Sequence, residues 1–104
     1  MGFFHKEEEK DTYVKASERL VIEQLIDDDN RATQLIDKLK NGNPLVLNFK
    51  KLDIMAANKL LAFFAGATYA IGGNTVKVNE TTYLFARQED FNDGSLNEFL
   101  ANCN

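Results

Sequence analysis

Residues 52–73, LDIMAANKLLAFFAGATYAIGG, restrict the fold more than any other part of this chain. Asp53 stands where an N-cap carboxylate accepts from the free N–H groups of a first helical turn. Gly72 and Gly73 supply a left-handed exit at the other end. Between these signals Ala57, Leu60, Leu61, Phe64 and Ala67 recur on one face at helical spacing. Ala56, Lys59, Phe63, Gly66 and Ala70 run along a neighbouring face that is also mostly small or apolar. A helix lying on a sheet needs one apolar stripe. This one has nearly two, and the second requires a partner. Asp, Lys and Gly interrupt the run, so it is not a membrane span, which needs about 20 unbroken apolar residues.

The rest of the chain supplies a sheet for the first stripe. Residues 1–19 form a charged leader expected to be mobile, with Glu7, Glu8 and Glu9 as a solvated run. Residues 20–104 form the folded domain. LVIEQLI from Leu20 is a strand. Asp27, Asp28, Asp29 and Asn30 then cap a helix in which Ala32, Leu35, Ile36 and Leu39 share a stripe. Asn41 and Gly42 end it, and Pro44 prevents its resumption. PLVLNF reads as an interior strand. After the long helix, TVKVN and TTYLFA alternate as a hairpin closed near Asn79 and Glu80. Ser95 is placed to cap a last short helix, SLNEFLANC. The order βαβαββ plus a C-terminal helix implies an α/β (α+β) two-layer sandwich. Two helices lie on one face of a sheet of about four or five strands, and the first two strands are parallel. On this reading the other sheet face has no cover, a second reason to expect self-association.

Catalysis draws on groups whose pKa values sit near working pH within one cleft. The only histidine, His5, lies in the leader, and the only cysteine, Cys103, stands at the opposite end. Consecutive aspartates point in different directions and complete no hard-cation site. Gly72 and Gly73 follow a helix rather than open one, and no Lys-Ser/Thr follows, so they form no phosphate loop. No enzyme, metal or cofactor is expected. A net charge of −4 argues against a nucleic-acid partner despite Tyr83 and Phe85 on one strand. A lone cysteine fits a reducing, cytoplasmic compartment. In the leader, Phe3 and Phe4 are the residues that could touch a bilayer surface. The three glutamates that follow oppose anionic lipid and favour a plain charged tail.

NGNPLVLNFKKLD, AANKLLAFFAGATYAIGG and VKVNETTYLFA together resemble the core domain of SepF, a family of bacterial cell-division proteins. The family's Leu-Lys-Asn/Ser-Gly turn has its counterpart at residues 39–42 and its VVVNL-type strand at residues 45–49. Its Ala-Lys-Arg helix start corresponds to residues 57–59, and its DFLSG-x-x-YA-I/L-GG helix end to residues 62–73. Its closing strand corresponds to Tyr83 and Leu84. The resemblance runs from Asp27 to Phe99. It implies a non-enzymatic adaptor that forms homodimers and further arcs or rings. Such an adaptor binds the C-terminal tail of the tubulin-like division protein FtsZ and tethers its filaments to the membrane through an N-terminal amphipathic helix, at the division site.

By position, the resemblance implies FtsZ contacts at Ala57 and Tyr83 and self-association at Gly66. Phe63 and Ala70 on the same stripe join Gly66. Lys50, Lys51 and Lys59 are expected to meet the acidic residues of the tail, whose apolar anchors lie between helix and hairpin. The surplus face, around Ala57 and Gly66, would thus serve both partners. Two departures stand out: the leader is short for the family, and Tyr83 replaces the usual Phe, adding a hydroxyl that wants a partner. A self-assembling module of the same fold that does not bind FtsZ is the alternative. Whether dimers form through the helices or through the open sheet face is left open by the sequence.

Overall fold

The computed structural model describes residues 13–103. Phe3, Phe4 and the rest of the leader up to residue 12 lie outside the described residues. A 3-10 helix, Ala16–Arg19, leads into β1, Val21–Gln24; then come α1, Asp29–Lys40, β2, Leu45–Asn48, and α2, Ile54–Ala70. The hairpin strands β3, Asn74–Asn79, and β4, Thr82–Ala86, follow. A second 3-10 helix, Gln88–Phe91, and α3, Ser95–Ala101, close the chain. The four strands form one mixed sheet in the order β1-β2-β4-β3. β1 and β2 are parallel, as the intervening helix requires, and β2–β4 and β4–β3 are antiparallel.

Local chemistry sets the helix ends. The Asp28 carboxylate accepts from the backbone N–H groups of Asn30 and Arg31, which makes it the N-cap within the run Asp27, Asp28, Asp29 and Asn30. Asp53 does the same for α2 through the N–H of Ala56, at 2.8 Å. At the far end Gly72 takes φ +74°, a conformation that costs little only without a Cβ. Gly73 serves a different need. A Cβ there would sit inside the van der Waals envelope of the Ala86 carbonyl oxygen and 2.9 Å from the Thr68 methyl. The helix is thereby brought against the central strand β4. Ser95 is not the N-cap expected of it: that position is Gly94, at φ +78° and without a side chain, and Asp93 just before it supplies the acceptor. Its carboxylate accepts from the Ser95 N–H at 2.9 Å and from the Ser95 hydroxyl at 2.7 Å, and Ser95 is the first helical residue.

Two apolar clusters sandwich the sheet. The larger packs Ala32, Leu35 and Leu39 of α1 and Leu60 and Phe64 of α2 onto Leu45, Leu47 and Phe85. Both long helices therefore lie on one face, as the stripes require. On the other face Ala16 and Leu96 are fully buried with Val46, Leu84 and Ala86, and Leu20, Phe99 and Leu100 close around them. That face was expected to be bare. The structure instead covers part of it with the N-terminal 3-10 helix and α3, so the two-layer arrangement gains a partial third layer. Ile22, Gln24, Val46, Asn48 and Thr82 border the open remainder, a shallow depression of about 320 Å³. The leader boundary moves as well: residues 13–19, read as leader, are docked on the domain. Among the described residues no helix is long and apolar enough to cross a membrane.

Candidate partner-binding faces of α2 and the hairpin

α2 divides its residues into three sectors. Ala56, Leu60, Phe64 and Thr68 are buried against the sheet. Thr68 was on neither expected stripe; its hydroxyl is satisfied by the Phe64 carbonyl at 2.6 Å, which lets a polar residue occupy a core position. Ala56, assigned to the surplus stripe, belongs to the core. The outward sector carries Met55 at 80% exposure, Ala62, Phe63 at 43%, Gly66, Tyr69 at 85% and Ala70. Gly66, Phe63 and Ala70 thus lie together on an exposed, mostly apolar helix face. A Cβ at Gly66 would meet nothing within 4 Å, so the domain itself gives no reason for a glycine there.

The third sector is the flank facing the hairpin. Ala57, Leu61 and Ala65 are half-buried there and pack against the main cluster, as do Leu52 and Tyr83. Tyr83 meets Phe49 edge-to-face, with ring centroids 5.6 Å apart and planes at 84°, and lies 6.4 Å from Phe85. Lys50 and Lys51 follow Phe49 directly and are exposed. Of the expected contacts, Ala57 and Tyr83 thus both pack on the main cluster, and Lys50 and Lys51 are exposed in the connection between β2 and α2.

Two residues expected to share a surface with Ala57 do not. Gly66 lies nine residues beyond Ala57, about two and a half turns, and so emerges on the opposite side of the helix. Lys59 lies two residues on, roughly 200° around. It pairs with Asp27 at 2.8 Å and Asp29 at 3.4 Å, and those carboxylates hold its ammonium above the ordinary lysine pKa. Lys59 borders a cleft of about 280 Å³ between α1 and α2, with Asp29, Ala32, Thr33, Leu60 and Phe63. The basic residue that does join the Tyr83 surface is Lys77, which the sequence reading passed over. It lies directly across the hairpin from Tyr83, on the same sheet face, and its only ion pair among the described residues is a 3.5 Å contact with exposed Glu80. The hairpin register is the signal that locates it: with Val76 and Val78 facing the second cluster, Lys77 must face α2.

No group of three or more His, Cys, Asp or Glu side chains is arranged to hold a metal among the described residues. The surfaces offered are apolar strips with charged margins, which suit binding of a peptide or another protein.

A family model described as Cell division protein SepF matches residues 26–88. The Cell division protein SepF of Carboxydothermus hydrogenoformans is 38% identical over 65 residues, covering 62% of this chain and 47% of that protein. That of Alkaliphilus oremlandii is 32% identical over 71 residues, covering 68% and 49%. That of Desulfitobacterium hafniense is 37% identical over 51 residues, covering 49% and 34%. The chain matches about half the length, or less, of these curated relatives.

Proposed function

Because this chain belongs to the SepF family of non-enzymatic cell-division proteins, we propose that it is an adaptor at the division site that binds the C-terminal tail of FtsZ and associates with copies of itself. The tail-binding surface is the strip bounded by Ala57, Leu61, Phe49 and Tyr83. The observation that carries this reading is that Ala57 and Tyr83, far apart in sequence, are both half-buried and both packed against the main apolar cluster. A short peptide combining acidic and apolar residues finds anchors there. Lys50, Lys51 and Lys77 stand at the margin to meet its carboxylates, acting mainly on rate and selectivity. Lys59, paired with Asp27 and Asp29 on the flank toward α1, is left out of this surface.

Self-association uses the opposite side of α2. Gly66, Phe63 and Ala70, with Met55 and Tyr69, form the exposed face on which a second copy packs, and the glycine lets the two helices approach closely. Division of the two roles between opposite sides allows an assembled array to keep its tail sites open. Binding of single tails is micromolar in class, about 8 kcal/mol, and is strengthened by avidity when assemblies meet filaments. Membrane contact through Phe3 and Phe4 would add a tether. Co-sedimentation with FtsZ polymers tests the reading: the chain should pellet with full-length FtsZ and stay in solution with FtsZ lacking its tail. Equal pelleting with both would remove the tail from the account. Pelleting with neither, while large assemblies still form, would leave a self-assembling module without FtsZ binding.

A further inference from the structure

Residues 13–20 are held to the domain in an unusual way. Among the described residues, no backbone-to-backbone hydrogen bond outside helices and strands joins residues 13–19 to another element; the one they make, Glu18 N–H to the Lys15 carbonyl, is internal. Their anchorage runs through side chains. The Asp93 carboxylate accepts from the Tyr13 hydroxyl at 2.7 Å and from the Ala16 N–H at 2.9 Å while its other oxygen caps α3. The Ser95 hydroxyl accepts from the Ser17 N–H at 3.0 Å. Arg19 donates to the Gly42 carbonyl and to buried Asp90, which Arg87 also holds. The Asn43 side chain donates to the Arg19 carbonyl.

Beneath this anchorage lies apolar surface. Ala16 is wholly buried against the cluster of Val46, Leu84, Ala86 and Leu96, with Leu20 beside it. A segment fixed by a few side-chain bonds, contributing one methyl and one half-buried Leu, opens at lower free energy than the sheet it covers. We propose that residues 13–20 are a releasable strap over the second face of the sheet, whose opening uncovers Val46, Leu84 and Leu96. Its first fastenings along the chain are those of Tyr13 and Ala16 to Asp93. Freeing them breaks both bonds to Asp93, unseats Ala16 and enlarges the open depression beside Ile22 and Val46. The strap does not depend on any peptide-binding role of α2.

Limited trypsin digestion of the full chain tests this, because cleavage after Lys15 and Arg19 reports strap opening while cleavage after Arg31 and Lys59 reports opening of the helical body. In the unmodified chain the strap sites should be cut at least tenfold faster than the body sites. Tyr13→Phe, which removes one bond at an exposed position, should speed strap cleavage about 3- to 10-fold. Asp93→Ala should speed it on the order of 10- to 100-fold, since two bonds to a charged acceptor are lost, and should raise binding of a hydrophobic dye. Body-site rates should stay within about twofold in Tyr13→Phe. Strap and body sites cut at equal rates in the unmodified chain, or a Tyr13→Phe variant with unchanged strap cleavage, would overturn the proposal.

Discussion

Three glycines in and after α2 look alike in sequence and should respond in three different ways to the same substitution. Gly66→Ala places a methyl where nothing lies within 4 Å, in the middle of a helix. The gain in helix propensity predicts a monomer more stable by about 0.5–1 kcal/mol. Gly72→Ala forces a side chain into φ +74° with open space around it. The left-handed cost of roughly 1–2 kcal/mol, partly offset by a less flexible unfolded chain, predicts a net loss of about 1 kcal/mol. Gly73→Ala drives a Cβ into the Ala86 carbonyl of β4, a strand paired on both sides that has no room to retreat. A loss of about 3 kcal/mol is expected, toward the upper end of overpacking costs. For a domain of this size, 1 kcal/mol moves Tm by about 4–8 °C. Melts should therefore rise by about 2–8 °C for Gly66→Ala, fall by a similar amount for Gly72→Ala, and fall by more than about 10 °C for Gly73→Ala. They are read at several protein concentrations, since association raises apparent stability by mass action. The same Gly66→Ala protein should form smaller assemblies by light scattering, because the methyl stands in the helix contact. A Gly66→Ala chain that is destabilised in dilute solution, or that assembles as before, would refute the assignment of Gly66 to an intermolecular face. Tolerance of Gly73→Ala would refute the close approach.

The lysines should separate by flank. Lys77→Glu should weaken tail-peptide binding severalfold, chiefly through a slower and less salt-sensitive association, whereas Lys59→Ala should leave peptide affinity within about twofold; surface plasmon resonance at two salt concentrations reads both. Acid stability should depend on Asp93. The Tyr13 hydroxyl, then the Ser95 hydroxyl and the Ala16 and Ser95 N–H groups, hold its carboxyl well below the ordinary carboxylate range, and desolvation opposes them only weakly. A depressed folded-state pKa contributes stability that is fully present above about pH 5 and is lost as pH falls through and below the ordinary range. Glu23, lowered first by its hydrogen bond from Arg31, adds to the same limb. Urea midpoints measured from pH 7 to pH 3 should thus fall less steeply for Asp93→Asn than for the unmodified chain.

Most of the fold is legible in the sequence because its devices are local. Asp28 and Asp53 announce helix starts, Gly72 announces an exit, and apolar spacing identifies the sheet-facing side of α1; for α2 it finds Leu60 and Phe64 but not Ala56 and Thr68. The alternation of TVKVN and TTYLFA marks the hairpin. What escapes is tertiary. Nothing local shows that Ala16 and Leu96 close the second sheet face, because a single methyl and a seven-residue helix carry little periodic signal. Asp93 rather than Ser95 supplies the acceptor at the start of α3, and its carboxylate also serves Tyr13 and Ala16 from across the chain. The candidate site follows the same pattern. Ala57 and Tyr83 were located through family resemblance, and the fold packs both against the main cluster. Lys59 looked equivalent to Lys50 and Lys51 until the helix phase turned it toward Asp27, and Lys77 becomes visible only once the hairpin register is known.

The central claim is that a division-protein tail docks on the Ala57–Tyr83 surface. Titration of the isolated FtsZ C-terminal tail peptide into the unmodified chain and into Tyr83→Ala, by fluorescence anisotropy, tests it most directly. Micromolar-class binding is expected, weakened about 30-fold by Tyr83→Ala in keeping with loss of an aromatic anchor worth about 2 kcal/mol, with assemblies of unchanged size by light scattering. Absence of binding to the unmodified chain, or superimposable curves for the two proteins, would contradict it.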